Sequence, residues 1–365
     1  GLNCILALAN AYSKNNAADK AIGVLESHRA KFAGSVEMNL ALGQQYKNEG
    51  HFVKARACFG AVRETRPDEL LADLRYQSLC PTVMPSVQAI EHYRSNLANT
   101  LDNALQHRWK FKVDELFISG CEPPFYLSYH GQNDLPLKNR YGALFSRNLP
   151  MVREPAFGKE RPHVGVVVTP GHEGIFLKSV IPMLNGFSQN ELKVTVLCPR
   201  SSLAVIRKQV HSQAIEFFPV TGRITNTLAQ LKQVGFDLIY YHETGSDSLN
   251  YFLPYFRLAP IQCTTWGIQV TSGIPAMDYY LSSRWTETEQ AQQHYNEKLV
   301  LLDTLLKYQL RPECTTQVKS RQGLGLPEQS HLYACPHNLA KIHPHFDAAM
   351  AGILRVDTAA LIVLV

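Results

Sequence analysis

The sequence predicts an α + α/β chain, in which a helical N-terminal part is followed by parallel sheets covered by helices. Two segments near the N-terminus superimpose at a fixed offset, and after residue 163 short β-branched runs alternate with stretches of helical spacing. A hydrophobic content of 45% in 365 residues provides enough apolar surface for a full core. Length alone indicates two or three domains.

The two N-terminal segments begin at Leu6 and Leu40 and are therefore offset by 34 residues, which is the period of tetratricopeptide repeats. Small residues that let paired helices approach, and large residues that fill the groove between them, recur at equivalent positions. The matching pairs are Leu8 and Leu42, Ala9 and Gly43, Tyr12 and Tyr46, Ala21 and Ala55, and Leu25 and Phe59. We expect two repeats over residues 1–69 and a helical capping or connecting region over residues 70–151.

The second half of the chain shows the pattern of a parallel sheet. The strand-like runs are "HVGVVVTP", "KVTVLCP", "AIEFFPV" and "FDLIYYHE", and segments of helical periodicity separate them. This alternation predicts a sheet with helices on both faces. We expect a first α/β lobe over residues 152–325, which follows a polar linker at Val152–Pro162. The start of a second lobe is expected over residues 326–365, where the strand-like "AALIVLV" stands last.

Composition argues against several classes of protein. The net charge of +5 comes without a cluster of lysines and arginines, which argues against nucleic-acid binding. No apolar run reaches the roughly 18 residues of a membrane span, and the first residues do not form a secretory leader, so membrane insertion is not expected. The eight cysteines lack C-x-x-C and zinc-site spacing, which predicts reduced thiols and a cytoplasmic location.

The first candidate site lies in "VGVVVTPGHEGIF", where a strand runs into a Pro-Gly turn before His172 and Glu173. Ligands of parallel sheets bind outside the carboxyl ends of the strands, so His172 is expected at the mouth of a crevice. The free N–H groups of the following helix favour an anion, which predicts a neutral imidazole that can take a proton from a hydroxyl. Alternatively, His172 caps the helix and Glu173 is a first-turn residue that interacts with the helix dipole.

The second candidate site is "YACPHNLAKIHPHFD", in which a strand leads to a loop with His337, Asn338 and Lys341. A lysine on a strand-to-helix loop is well placed to neutralise a diphosphate leaving group. The alternative is that Lys341 is an ordinary solvated lysine. A metal site at His337, His343 and His345 is not expected, because the last two would point to different faces of the helix.

A third candidate site is "RLAPIQCTTWGIQVTSGIPAMDYYLSS". Gly267 and Gly273 allow close approach of the backbone to a ligand. Between them, Thr271 and Ser272 give the loop hydroxyl groups. An ordinary turn would have the same composition, so this loop is weak evidence when taken alone.

These three stretches, the 34-residue repeats and the segment "FYLSYHGQNDLPL" together resemble the O-linked N-acetylglucosamine transferases with tetratricopeptide repeats. The resemblance is to glycosyltransferase family 41, especially its bacterial SPINDLY-like members, and the motifs occur in the family's order over nearly the whole chain. It implies a glycosyltransferase of the GT-B type with two facing Rossmann-like lobes. It also implies an inverting, metal-independent reaction that uses a UDP-sugar as co-substrate, without a cofactor.

The resemblance also implies roles for individual residues. His172 lies where the family has its proposed catalytic histidine, and Lys341 where an essential lysine meets the donor diphosphate. His337 and Asn338 stand in place of an expected glutamine, and Asn338 and Gly267 are expected to bind the donor. Glu173, Thr271 and Ser272 are acceptor or loop candidates. The sequence departs from the family at Ile268–Gln269, where other members often have His-Pro.

The resemblance leaves the acceptor and the activity open. Transfer of N-acetylglucosamine to Ser or Thr of polypeptides held by the repeats is the main expectation. Glucose transfer to Asn is an alternative in the same chemistry, and a repeat scaffold with a degenerate transferase domain is an alternative of another class. In the family the second lobe continues well past "AALIVLV" and supplies most nucleotide contacts. Residues 1–365 alone are therefore expected to be a truncated form that binds UDP-sugar poorly and turns over little or not at all.

Overall fold

The N-terminal part of the protein consists of two helical hairpins. A computed structural model describes residues 1–149, 161–187, 191–212, 214–220, 224–307 and 319–364. The helices are α1 (Leu2–Lys14), α2 (Ala18–Arg29), α3 (Val36–Asn48) and α4 (Phe52–Thr65). The predicted alternation of small and large residues explains their packing. A Cβ atom on Gly43 of α3 would lie 2.6 Å from the Phe59 ring on α4, so only glycine lets these two helices pack this closely.

Four further helices connect the hairpins to the sheet. They are α5 (Leu70–Gln77), α6 (Val87–Ala104), α7 (Val113–Leu116) and α8 (Leu135–Asn148). Ser86 begins α6 by accepting a hydrogen bond from the backbone N–H of Ala89. The buried ion pair between Arg94 of α6 and Asp134, with an N···O distance of 2.7 Å, joins α6 to the start of α8. The segment "FYLSY" forms a 3₁₀ helix over Phe125–Tyr129.

A seven-stranded parallel sheet follows, with strand order β3-β2-β1-β4-β5-β6-β7. Its strands are β1 (His163–Val167), β2 (Lys193–Pro199), β3 (Ile215–Val220), β4 (Leu238–Tyr241), β5 (Ile261–Thr264), β6 (Tyr279–Ser283) and β7 (Lys298–Leu302). The helices between them are α9 (Glu173–Ser179), α10 (Ile181–Gly186), α11 (Leu203–Gln209), α12 (Ile224–Val234) and α13 (Ser248–Phe252). The strands predicted from the sequence are confirmed. Chain order reverses between β1 and β4, which are direct neighbours.

Both faces of the sheet are buried, as the β-branched runs predicted. On one face Val166 and Val168 pack with α9, α10 and α11. Val167, which points to the opposite face, belongs to a core that includes α12, α13 and the connecting helices α5 to α8. The connecting helices therefore share one hydrophobic core with the sheet, and α4 of the second hairpin packs against α5, the first of these helices.

A second, two-stranded parallel sheet is formed by β8 (His331–Cys335) and β9 (Ala360–Leu364), with α14 (His345–Val356) between them. Most of the predicted linker, residues 152–160, lies outside the described residues. In the described part of the chain none of the helices is long and apolar enough to cross a membrane. The seven cysteines in that part are all free thiols.

The contact between α8 and the loop that follows β5 predicts an effect on stability. A Cβ atom on Gly142 would lie 2.0 Å from the carbonyl oxygen of Gly273, so Gly142→Ala must push the helix and the loop apart. We expect it to lower the free energy of unfolding by about 1–3 kcal/mol or more, measured by thermal and urea denaturation. Gly23→Ala in α2 is the matched control, because nothing lies within 4 Å of its Cβ position. Equal stability of the two variants would contradict this packing.

Candidate functional site

The sheet brings two polar side chains together at the point where strand order reverses. The register pairs Val167, the last residue of β1, with Tyr241, the last residue of β4. His172 therefore follows one strand and Glu243 follows its neighbour at the same edge. In sheets of this kind the crevice outside the carboxyl ends at the reversal is the usual ligand site.

His172 and Glu243 contact each other directly. The Nδ1 atom of His172 lies 3.2 Å from Oε1 and 3.3 Å from Oε2 of Glu243. The hydrogen bond that Nδ1 of His172 donates to Glu243 raises the pKa of His172, while burial acts in the opposite direction. Glu243 therefore acts against the helix N-terminus, which is expected to favour the neutral ring, and the proton-accepting role of His172 stays a prediction.

The alternative places His172 at the cap of α9 and Glu173 in its first turn, and the structure has both residues at these positions. His172 occupies the N-cap position, but its ring does not bond the backbone of that helix. The carboxylate of Glu173 already has hydrogen-bond partners, because it accepts hydrogen bonds from the Ser202 hydroxyl and from the backbone N–H of Gly171. Burial opposes ionisation of Glu173, but these hydrogen bonds outweigh it and lower its pKa.

Sequence reasoning missed Glu243, although the quoted run "FDLIYYHE" ends with it. Glu243 is an acidic residue two positions after β4. Only the strand order shows that β4 is the neighbour of β1, so the sequence pattern alone does not single out this glutamate. The preceding residue, His242, plays a different part: it is buried, which lowers its pKa to about 4, and its Nδ1 contacts the Tyr240 hydroxyl at 3.2 Å. Of the two histidines at this edge, His172 is the one that reaches solvent.

A cavity of about 650 Å³ lies in front of His172. Its opposite wall comes from the helical part, through α3, α5 and the segment around the 3₁₀ helix Phe125–Tyr129. The lining includes Gln44, Lys47, Asn48, Arg75, Glu122, Pro123, Phe125, Tyr126, Pro170, His172 and Asp247. A crevice of this size, with an apolar wall and a few polar groups, is typical of a ligand site. The cavity continues from the second repeat to the candidate catalytic histidine.

Asp247 lies at the edge of this cavity and caps α13 through a 2.7 Å hydrogen bond from the Asn250 backbone N–H. Burial raises the pKa of its carboxyl to about 6, and nearby Glu122 acts in the same direction. Its Oδ2 atom is buried and has no hydrogen-bond partner among the described residues. The cavity wall next to His172 therefore includes the acidic side chain of Asp247.

The third candidate loop has a structural role in this chain. Thr271 and Ser272 are buried, and both hydroxyls donate to the buried carboxylate of Glu297, for Thr271 at 2.6 Å. In this structure both hydroxyls are therefore engaged with Glu297, and the acceptor or loop role of Thr271 and Ser272 stays a prediction. A Cβ atom on Gly267 would lie 2.0 Å from the carbonyl oxygen of His242, so the close approach made there is to the protein's own backbone.

Ile268, where the sequence departs from the family pattern, lies in the core. Ile268 is buried, and its carbonyl oxygen accepts a 2.7 Å hydrogen bond from the Tyr280 hydroxyl. The apolar side chain at this position thus packs inside the first lobe.

Lys341 lies in the strand-to-helix connection predicted for it, at the end of a short 3₁₀ helix over Leu339–Lys341, and is exposed. Asn338 begins this helix by accepting a 2.9 Å hydrogen bond from the backbone N–H of Ala340. Residues on both sides of Lys341 line a narrow cleft together with Tyr126, which also lines the cavity of His172. The aromatic 3₁₀ helix therefore lies between the two candidate catalytic residues.

Metal binding was not expected from the sequence. Across the described ranges, no three histidine, cysteine, aspartate or glutamate side chains come together in a way that would hold a metal ion. His343 and His345 stack edge to face, with ring centroids 4.7 Å apart.

Comparisons with known proteins agree with this architecture. The chain is 28% identical over 168 residues to the probable UDP-N-acetylglucosamine–peptide N-acetylglucosaminyltransferase SEC of Arabidopsis thaliana, a match that covers 42% of this chain and 17% of that protein. A point mutant of the Thermobaculum terrenum O-GlcNAc transferase has a similar structure, with a TM-score of 0.69 and 16% identity. That likeness covers 99% of this chain and 68% of the other. The resemblance to the O-GlcNAc transferases is confirmed.

The fold class is confirmed with it: helical repeats followed by parallel α/β lobes. At 16% identity the structural likeness to the O-GlcNAc transferase concerns the fold. No protein-family model matches the chain. The roles of His172, Lys341, Asn338 and Gly267 stay predictions, and so do the predicted domain boundaries.

The raised pKa of Asp247 predicts a pH-dependent effect on stability. An aspartate whose pKa of about 6 in the folded protein lies above the ordinary value of 3.8 destabilises the fold once pH rises above both values. Asp247→Asn keeps an oxygen that can cap α13 but removes the charge. We expect its advantage over wild type to grow by about 2 kcal/mol between pH 4 and pH 7.5, followed by urea denaturation at each pH. An advantage that shrinks as pH rises would contradict the assignment.

Proposed function

We propose that this protein transfers a sugar, N-acetylglucosamine in the first instance, from a UDP-sugar to Ser or Thr hydroxyls of polypeptides. The observation that carries the proposal is the position of His172. The residue stands at the strand-order reversal of the sheet and lines a cavity that extends to the helical repeats. The similarity in sequence to a peptide N-acetylglucosaminyltransferase supports the choice of sugar and acceptor.

In the proposed reaction, the acceptor hydroxyl lies in the cavity next to His172. Its oxygen forms a bond to the anomeric carbon of the sugar, while the bond from that carbon to the β-phosphate oxygen breaks and UDP leaves with the electron pair. The imidazole of His172 takes the hydroxyl proton. Lys341 neutralises the negative charge that develops on UDP, so no metal is required. Attack from the face opposite the leaving group inverts the anomeric centre.

The acceptor is proposed to be an extended polypeptide that reaches the cavity along the repeats. Gln44 and Asn48 on α3 lie one turn apart, and a 2.8 Å hydrogen bond joins their side-chain amides. Such amides can donate to and accept from a peptide backbone without regard to its sequence. Phe125 and Tyr126 supply an apolar wall at the end of the cavity nearest to Lys341. These features support a polypeptide over a small-molecule acceptor.

Removal of the two proposed catalytic groups tests the transferase. UDP-N-acetylglucosamine and UDP-glucose are offered separately to the complete gene product, with lysate proteins as acceptors. We expect His172→Ala and Lys341→Ala each to reduce transfer by about 100-fold or more. The exposed residues His211 and Lys208 are matched controls, and their alanine variants should retain wild-type rates. Residues 1–365 alone are assayed in parallel and are expected to remain near background.

The outcomes separate the rival functions. Transfer from UDP-glucose to Asn would replace the Ser/Thr proposal with N-glucosylation. No transfer by the complete protein, together with equal UDP binding by wild type and Lys341→Ala, would contradict the proposal and support a repeat scaffold with a degenerate transferase domain.

The acceptor path is tested on α3. We expect Gln44→Ala combined with Asn48→Ala to raise the KM for a polypeptide acceptor by about 3- to 30-fold, because one or two hydrogen bonds of about 1 kcal/mol are lost. The affinity for UDP should be unchanged. Gln45→Ala is the matched control, since this neighbour lines a different surface depression. Loss of UDP affinity with an unchanged KM for the acceptor would place the donor, not the acceptor, at α3.

A further inference from the structure

We infer that Glu243 is a positioning residue, which holds His172 through Nδ1 and so directs the Nε2 atom of the ring toward the acceptor cavity. This inference rests on the proposed function, because it assigns Glu243 a part in the same proton transfer. Three observations carry it: the contact itself, the way in which Glu243 is fixed, and the charges around the ring.

The contact determines which ring nitrogen carries the hydrogen. Carboxylate oxygens accept hydrogen bonds, so Nδ1 of His172 must donate to the oxygens of Glu243 that lie 3.2 and 3.3 Å away. In the neutral ring the lone pair is then on Nε2. Among the residues that the structure describes, none forms a hydrogen bond with Nε2, and His172 lines the cavity. The basic nitrogen therefore faces the space proposed for the acceptor hydroxyl.

Glu243 is held more firmly than the histidine that it contacts. Its side chain is 6% exposed, against 39% for His172. The backbone N–H and the hydroxyl of Ser246 donate to the Glu243 carbonyl oxygen at 3.1 and 2.8 Å, which closes a turn directly after β4. On the other side, a Cβ atom on Gly267 would lie 2.4 Å from Cγ of Glu243. The carboxylate thus has little freedom to leave the ring.

The charges around His172 favour its protonated form. Glu243 and Asp247 from the segment after β4, together with Glu173 from α9, all raise its pKa, with Glu243 acting most strongly. Lys47 and Arg75 lie on the helical wall of the cavity, where Glu122 also lies. A raised pKa makes the His172 ring a stronger base for the acceptor hydroxyl. The Glu243 carboxylate also stabilises the imidazolium once the proton has been transferred.

The substitution Glu243→Gln tests the inference, because it keeps the shape of the side chain and removes its charge. The first readout is ¹⁵N NMR of histidine-labelled protein, with His172 assigned from the His172→Ala spectrum. We expect wild type to carry hydrogen on Nδ1. In Glu243→Gln the pKa of His172 should fall and the neutral ring should become a mixture of tautomers. This readout does not depend on transferase activity.

The second readout is the pH profile of transfer by the complete protein. Activity requires neutral His172, so the rate rises with pH through its pKa, and Glu243→Gln should shift this limb to lower pH. We expect kcat to fall by about 10- to 1,000-fold with an unchanged KM for UDP-sugar. Glu243→Asp is the companion variant: it keeps the charge but is one methylene shorter, and we expect it to lose kcat while the thermal stability stays close to wild type.

The outcomes distinguish failure of this inference from failure of the proposed function. Wild-type transfer with an unchanged kcat and pH limb in Glu243→Gln overturns the inference alone. If wild type transfers nothing, the proposed function fails, and the NMR spectra then decide whether Glu243 sets the protonation of His172. Identical tautomer and pKa in wild type and Glu243→Gln would overturn the inference in either case. A purely structural role would lower thermal stability without moving the pH limb.

Discussion

The adjacency of β1 and β4 is the constraint on which the site depends. Two residues that are 71 positions apart in sequence meet because the order of strands reverses between these two, which leaves their carboxyl ends side by side at a crevice. A different strand order would bury His172 against a helix or leave Glu243 at another edge. The chemistry proposed for this chain is thus a consequence of topology, with one short turn after each strand providing the side chain.

Hydrophobic packing makes the helical repeats part of the same site. The connecting helices α5 to α8 share their core with one face of the sheet, and α4 of the second hairpin packs against α5. The buried pair of Arg94 and Asp134 adds a specific link between the connecting helices. Since a repeat array is stiff along its length, this anchoring gives the cavity of His172 a continuous second wall. The 3₁₀ helix Phe125–Tyr129 extends this wall to the loop that contains Lys341.

Local patterns in the sequence predicted most of the fold. The 34-residue offset identified both hairpins, and the β-branched runs identified the strands of the first lobe, because burial and periodicity are local properties of a chain. Glu243 could not be recognised in this way, since its partner is distant in sequence and strand order is a tertiary property. The partner of Thr271 and Ser272 could not be recognised for a related reason: a loop rich in hydroxyl groups gives no indication of a buried carboxylate 25 or 26 residues later.

Crosslinking can decide whether the cavity in front of His172 receives the acceptor polypeptide. A photoreactive phenylalanine analogue is placed at Tyr126, which lines this cavity, or at Trp109, which lines a separate cavity of about 510 Å³ on the helical part. Acceptor polypeptides and UDP are added before irradiation. We expect crosslinked acceptor with the analogue at position 126 and only background crosslinking with the analogue at position 109. Crosslinking at position 109 with none at position 126 would contradict this expectation.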